Sequence, residues 1–169
     1  MNLHIGGAVP RPGWKILNIA PGPGVDYAGD LRDLSQFQDA SLDNVYASHV
    51  LEHIPQAQVL PALAGIHRVL RRHGNLMLSV PDLAALCRLY LEPGASAAIR
   101  WHAMRMMFGG QTDAHDFHYV GFDEESLARL LAEAGFIDVH RVDSFGLFSD
   151  TSAYRPYGVA ISLNLLASK

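Results

Sequence analysis

Two short clusters of histidine and acidic residues contain the side chains best suited to chemistry in this sequence. The first is His49-Val50-Leu51-Glu52-His53, which fits the H-x-x-E-H pattern of inverted zinc peptidases. On an α-helix its two histidines would share one face and bind zinc, with Glu52 as the general base. Pro55 would end such a helix almost at once, so the pattern does not favour a zinc peptidase. A metal role for these three side chains stays open as an alternative, but our preferred site contains no metal ligand.

The second cluster is His115-Asp116-Phe117-His118, in a polar segment between two predicted helices. A histidine titrates near neutral pH and can remove a proton from a hydroxyl group, and a neighbouring carboxylate can orient its ring. We therefore predict that His118 is a general base, with Asp116 or His115 as its orienting neighbour. The competing interpretation is an ordinary polar loop, in which these side chains only form local hydrogen bonds.

The composition excludes several classes of protein. The 169 residues are 49% hydrophobic, which suffices for one core, and we expect a single domain over residues 1–169. The excess of 17 Asp and Glu over 13 Lys and Arg argues against nucleic-acid binding. The single cysteine, Cys87, excludes an intrachain disulfide and a cysteine-based zinc site. The apolar stretch Val159–Ala167 is too short to span a membrane, so we expect a cytoplasmic protein. The sequence leaves the oligomeric state open.

Short apolar runs separated by turn residues dominate the first third of the chain. Such runs predict strands that are buried on both faces of a parallel sheet. They lie at Asn2–Ile5, Lys15–Ile19, Val25–Ala28 and Val45–Ala47. Only Gly6–Trp14 separates the first two strands, and Pro10 and Pro12 forbid a regular helix there. The first crossover is therefore predicted to be a bare loop, shorter than the usual dozen or more residues.

Helices and strands alternate in the rest of the chain. The predicted helices are Gln56–Leu70, Asp82 to Leu91, Ala95–Phe108 and one that begins at Asp123, and the predicted strands are Leu76–Val80, Ile137–Val142 and Val159–Leu165. Arg71-Arg72-His73 suits the last turn of the first helix, with Gly74 at its C′ position. The last strand alternates apolar and polar residues, which indicates an antiparallel partner. The order predicts an α/β, Rossmann-like, doubly wound, mostly parallel sheet with an antiparallel C-terminal strand.

Several sequence strings, in this order and spacing, resemble the class I S-adenosylmethionine-dependent methyltransferases, in particular small bacterial members. The strings are Leu3–Gly7, Val25–Leu31, Val45–His53, Arg68–Leu76 and Ser79–Asp82, so that the resemblance extends from Leu3 to about Phe136. It implies S-adenosylmethionine as the cofactor and methyl transfer as the reaction.

The resemblance also implies roles for individual residues. Gly6 and Gly7 match the glycine-rich turn that lets the backbone approach the methionine and ribose of the cofactor. Asn18 stands where family members place a carboxylate that binds the ribose hydroxyls, and an amide lacks that charge. The remaining implied contacts are Asp30 and Leu31 beside the adenine, and Ser48 and His49 at the edge of the methyl-transfer pocket.

The segment Ile16–Gly24 offers a second way to place the glycine motif. In that register only 21 positions would separate Gly24 from Val45, which is too few for two further strands with their crossovers. We therefore start the fold at Leu3 and expect Gly22 and Gly24 in the turn after the second strand.

We interpret the sequence as a methyltransferase that acts on a small-molecule or glycan acceptor, at oxygen. The thin turn at Gly6-Gly7 and the amide at Asn18 keep a second interpretation open, in which the protein is a non-catalytic binding module with a degraded cofactor site. A nicotinamide-dependent oxidoreductase is disfavoured, because no G-x-G-x-x-G motif follows the first strand.

Overall fold

A computed structural model describes residues 1–169 and contains one seven-stranded sheet with four α-helices. The elements in chain order are β1 (Asn2–Ile5), β2 (Trp14–Asn18), β3 (Tyr27–Ala28), β4 (Leu42–Ser48), α1 (Gln56–Val69), β5 (Leu70–Pro81), α2 (Leu83–Leu91), α3 (Ala97–Phe108), α4 (Glu124–Glu133), β6 (Ile137–Arg141) and β7 (Ser162–Ser168). Short 3-10 turns occupy Leu51–His53, Thr151–Ala153 and Pro156–Gly158. No helix is both long and apolar enough to cross a membrane.

The strands follow the order β3-β2-β1-β4-β5-β7-β6, and β7 alone runs opposite to the other six strands. This confirms the predicted doubly wound sheet with an antiparallel C-terminal strand. The first strand lies between β2 and β4. The chain therefore adds β2 and β3 on one side of β1, and then β4 and the later strands on the other side. In open α/β sheets, ligands bind beyond the carboxyl ends of the strands at this reversal point. The order also confirms the register that starts at Leu3, because Gly22 and Gly24 fall between β2 and β3.

The crossover from β1 to β2 contains no helix, as predicted from Pro10 and Pro12. The strands are nevertheless parallel and in register, with Ile5 opposite Leu17. The backbone N–H of Gly6 extends this pairing by donating to the carbonyl of Leu17 at 2.8 Å. A short loop therefore performs the connection that a helix usually makes.

The two faces of the sheet differ in chemistry. One face packs its aliphatic side chains with those of α1 and α4 in a core of 27 buried residues. The other face presents His4, Tyr46 and Asn164, which are covered by the segment 143–158. Tyr46 donates its hydroxyl to Asp150 at 2.7 Å, and Asn164 donates to the carbonyl of Ser152 at 3.0 Å. Burial raises the pKa of Tyr46 well above its ordinary value.

The segment 71–74 differs from its prediction as the end of a helix. The first helix ends at Val69, and Leu70 is already extended, so that Arg71, Arg72, His73 and Gly74 belong to β5. Arg71 pairs with Asp43 on β4 at 2.8 Å. A Cβ atom at Gly74 would lie 2.9 Å from the carbonyl oxygens of Arg71 and Asp43. Gly74 is therefore required for the close approach of two strands, and it does not cap α1.

The last strand begins three residues later than predicted, at Ser162. It pairs with β6 as expected, and also with β5. The predicted apolar positions Leu163 and Leu165 are buried, but so are the adjacent polar residues Ser162 and Asn164. The alternation therefore distinguishes an apolar face of the strand from a polar face, and both faces are covered. Segment 143–158 covers the polar face, where the side chains of Ser162 and Asn164 donate hydrogen bonds to its backbone carbonyls.

Candidate functional site

A cavity of about 350 Å³ opens beyond the carboxyl ends of the first three strands. Five of the predicted site residues line it, namely Gly6, Asn18, Asp30, Leu31 and His115. Further lining comes from residues to which the sequence assigned no cofactor contact, among them Arg32, Val50, His53 and Tyr119. The residues therefore converge at the reversal point of the sheet from five different segments of the chain.

The turn after β1 depends on glycine at position 6. Its φ of +80° is a left-handed conformation that favours glycine, and a Cβ atom there would lie 2.3 Å from Cγ1 of Val50. Gly7 has a different neighbour, because its Cβ atom would lie 2.5 Å from Nδ1 of the buried His4. Gly6 thus leaves room on the cavity side, while Gly7 leaves room for His4 beneath the turn.

The side chain of Asn18 is bonded to the backbone around it. Its Nδ2 donates to the carbonyls of Gly7 at 2.8 Å and Gly6 at 3.3 Å, and its Oδ1 accepts from the N–H of Ala20 at 2.9 Å. Both N–H donors of the amide are used in this way. Asn18 therefore holds the glycine turn in place at the cavity wall, a role that a carboxylate, with no donor, could not perform.

Asp30 forms an ion pair with Arg32 inside the same wall. Its carboxylate accepts from the Nε of Arg32 at 2.9 Å and from the backbone N–H of Arg32 at 2.8 Å. The hydrogen bonds from Arg32 lower the pKa of Asp30 below its ordinary value. Arg32 also donates to Gln58 on α1 at 3.0 Å, so the pair ties the loop after β3 to the first helix.

A second cavity of about 390 Å³ lies on the other side of the loop after β4. It is lined by His49, Asp116 and His118 of the predicted site, and by His102, Arg105 and Tyr154. His49 contacts Ser162 Oγ through its Nε2 at 2.9 Å. Neither Ser48 nor His49 lines the first cavity, whereas Val50 does; the edge of a methyl-transfer pocket, which the resemblance implies for Ser48 and His49, stays a prediction.

The orienting contact predicted for His118 is not formed. Asp116 accepts hydrogen bonds from the N–H of Gly110 and from the N–H and hydroxyl of Thr112, at 2.8 to 3.3 Å, and so stabilises its own loop. His115 lines the first cavity and His118 lines the second. His118 packs instead against the ring of His53, edge to face, with centroids 4.7 Å apart. Burial lowers the pKa of His118 below its ordinary value, which favours the neutral imidazole.

The H-x-x-E-H segment does not form the helical face on which a zinc peptidase depends. Only Leu51–His53 forms a single 3-10 turn, and His49 precedes it with a φ of +53°. Glu52 is completely buried, and the N–H of Tyr119 donates to its backbone carbonyl at 2.8 Å. The contacts of Glu52 and His53 with the loop that contains His118 were not predicted from the sequence.

Comparisons with known proteins agree with this architecture. Residues 16–78 match a family model described as a methyltransferase domain. A SAM-dependent methyltransferase from Archaeoglobus fulgidus superimposes with a TM-score of 0.63 at 17% identity, over 99% of this chain and 85% of that one. A 1,6-didemethyltoxoflavin-N1-methyltransferase from Burkholderia thailandensis, solved with 1,6-didemethyltoxoflavin and S-adenosylhomocysteine, gives 0.62 at 18% identity, over 99% and 70%. A methyltransferase from Mesorhizobium loti gives 0.62 at 16% identity, over 99% and 90%. No curated protein matches the chain.

Proposed function

We propose that this protein transfers a methyl group from S-adenosylmethionine to a small-molecule or glycan acceptor, at an oxygen atom. The observation that carries the proposal is the first cavity, which lies at the reversal point of a methyltransferase-like fold. The match of residues 16–78 to a methyltransferase domain supports it independently of the fold.

The lining of the first cavity fits the methyl donor. Gly6 has no side chain where a Cβ atom would crowd Val50, so the backbone wall stays open beside the turn. Asp30 and the largely buried Leu31 provide a polar and an apolar surface next to each other, as a nucleoside requires. We infer that the amino-acid end of the donor lies near Gly6 and its adenine near Leu31.

The chemistry that the donor supplies is an already activated methyl group on a sulfonium. The protein must therefore align the acceptor atom in line with the methyl group and keep water away. An acceptor hydroxyl loses its proton as the new bond to carbon forms. We infer that the neutral imidazole of His118 takes this proton, since it lines the second cavity, where the acceptor would bind.

Binding of the cofactor tests the proposal directly. We expect calorimetry to detect binding of S-adenosylmethionine and S-adenosylhomocysteine, and no comparable binding of NAD or NADP. The affinity for both S-adenosyl compounds should be lower than in a protein whose carboxylate binds the ribose. A hydrogen bond to a charged group contributes about 1.5–3 kcal/mol, whereas one between neutral groups contributes about 1 kcal/mol. Absence of heat with both S-adenosyl compounds at millimolar concentration would contradict the proposal.

The second candidate function is a non-catalytic binding module, and the geometry of Asn18 favours it. Both donors of the amide are bonded to Gly6 and Gly7, so the side chain offers the ribose at most a lone pair of Oδ1. The same calorimetric experiment separates the two functions, because the module would bind neither S-adenosyl compound.

A further inference from the structure

The geometry points to a divalent transition-metal site formed by Glu52, His53 and His118. One ligand atom from each residue lies within 4.8 Å of the others. The first two residues belong to the 3-10 turn after β4, and His118 comes from the loop before α4, so that only the folded chain assembles the set. The site does not depend on binding of the methyl donor. A His118 nitrogen that holds the ion cannot also accept a proton, so the general-base role proposed for His118 belongs to the metal-free protein.

The carboxylate of Glu52 is the first reason for this inference. The side chain has no solvent exposure, and neither carboxylate oxygen has a hydrogen-bond partner in the protein. No lysine or arginine pairs with it; the nearest basic group is Nδ1 of His49, at 3.4 Å from Oε1. An ionised carboxylate that is removed from water is costly unless it is paired or coordinates a cation. A metal ion would remove that cost.

The two histidines present suitable donor atoms. Nδ1 of His53 lies 3.2 Å from the carbonyl of Phe117, and a proton on that nitrogen leaves Nε2 free as a ligand. Metal-bound histidines commonly use the second nitrogen in this way, which fixes the tautomer and the ring orientation. The buried Nδ1 of His118 has no hydrogen-bond partner in the protein and is therefore available as a second nitrogen ligand.

The ligand types select the class of metal. Two imidazoles and one carboxylate suit zinc and other first-row divalent ions, whereas Mg²⁺ and Ca²⁺ prefer oxygen ligands alone. Bond lengths of about 2.0–2.2 Å place tetrahedral ligands roughly 3.4 Å apart. Because the ligand atoms already lie within 4.8 Å of one another, they need to approach by at most about 1.4 Å when the ion binds. His53 lines the first cavity and His118 the second, so the ion would lie between the two cavities.

Metal titration of the purified, chelator-treated protein tests the site. We expect one equivalent of Zn²⁺ in calorimetry, one equivalent of Co²⁺ with visible absorption bands, and no competition from millimolar Mg²⁺. Glu52→Gln and His118→Asn should each weaken Zn²⁺ binding by at least 10²-fold. His140→Asn is the matched control, because His140 is an exposed histidine on β6, outside the cluster, and this variant should bind Zn²⁺ like the unchanged protein.

Several outcomes would overturn the site. One is an unchanged protein whose Tm does not shift with stoichiometric Zn²⁺, which would indicate that Glu52 only pairs with His49. Another is Zn²⁺ affinity that survives both substitutions or falls equally in His140→Asn. If Glu52→Gln fails to fold, His118→Asn and His53→Gln decide the question, since both side chains are partly exposed. Calorimetry with S-adenosylhomocysteine on the same variants distinguishes failure of the metal site from failure of the proposed function.

Discussion

Replacing Asn18 with aspartate separates two roles of the residue at the cavity wall. As a ribose ligand, Asn18 would be improved by a carboxylate, because a charged acceptor forms a stronger hydrogen bond. As an anchor of the glycine turn, it would be damaged, because aspartate cannot donate to the carbonyls of Gly6 and Gly7. The structure supports the second role, since Nδ2 bonds to both carbonyls at 3.3 and 2.8 Å.

The size of the expected effect follows from these contacts. A neutral hydrogen bond contributes about 0.5–1.5 kcal/mol net, and one of the two lost bonds is long and exposed. We expect Asn18→Asp to lower the free energy of unfolding by about 1–2 kcal/mol, which corresponds to roughly 2–8 °C in Tm for a chain of this size. We expect Asn18→Ala to lower the free energy of unfolding by a similar amount. The alanine variant also loses the hydrogen bond from the N–H of Ala20, but it places no carboxylate oxygen against the carbonyls of the turn.

Urea and thermal unfolding measure the stability of the three proteins, and calorimetry measures their affinity for S-adenosylhomocysteine. Both variants should bind it more weakly than the unchanged protein, since the turn beside the cavity is no longer held. An Asn18→Asp protein that is as stable as the original and binds more tightly would refute the reasoning, and would assign Asn18 to the ribose.

Three further predictions concern other residues. Gly6→Ala should abolish binding of S-adenosylhomocysteine in calorimetry and destabilise the fold more than Gly13→Ala does. Gly13 is the matched control, because it has a similar φ of +81° but nothing within 4 Å of its Cβ position. Equal effects of the two substitutions on stability would contradict the crowding by Val50. His118→Ala should reduce the release of S-adenosylhomocysteine with a panel of hydroxylated acceptors by roughly 10²–10⁴-fold, with unchanged cofactor affinity, and retained turnover would exclude a general base. Burial lowers the pKa of His4 below its ordinary 6.5, so the unfolded chain binds a proton that the folded chain does not, and stability falls as the pH drops below that value. His4→Leu should flatten this dependence of the urea midpoint, and an unchanged slope would show that His4 does not cause it.

The sequence by itself determined the local features of the fold. Proline at positions 10 and 12 excluded a helix from the first crossover, and the structure has none there. Asp82 and Asp123 were predicted to begin helices, and each accepts a hydrogen bond from an N–H in the first turn of its helix. These features depend on a few neighbouring residues, so a local pattern suffices to predict them. The order of strands and helices followed from the same patterns, and the sheet confirms it.

Only the tertiary structure decided where the functional side chains lie. The sequence placed His115, Asp116 and His118 together, but the first and the last line different cavities. It also assigned Gly74 to a helix end, although the carbonyl of Asp43 on the adjacent strand is what requires a glycine there.

The reason is that loop side chains are directed by partners far away in the chain. The N–H of Tyr119 donates to the carbonyl of Glu52, and His53 lies within hydrogen-bond distance of the carbonyl of Phe117. These contacts bring His118 to the buried Glu52 across more than 60 positions of sequence. Neither the hydrophobic periodicity nor the two histidine-containing motifs predict the contact between His118 and Glu52, because that contact depends on how the sheet places the two loops side by side.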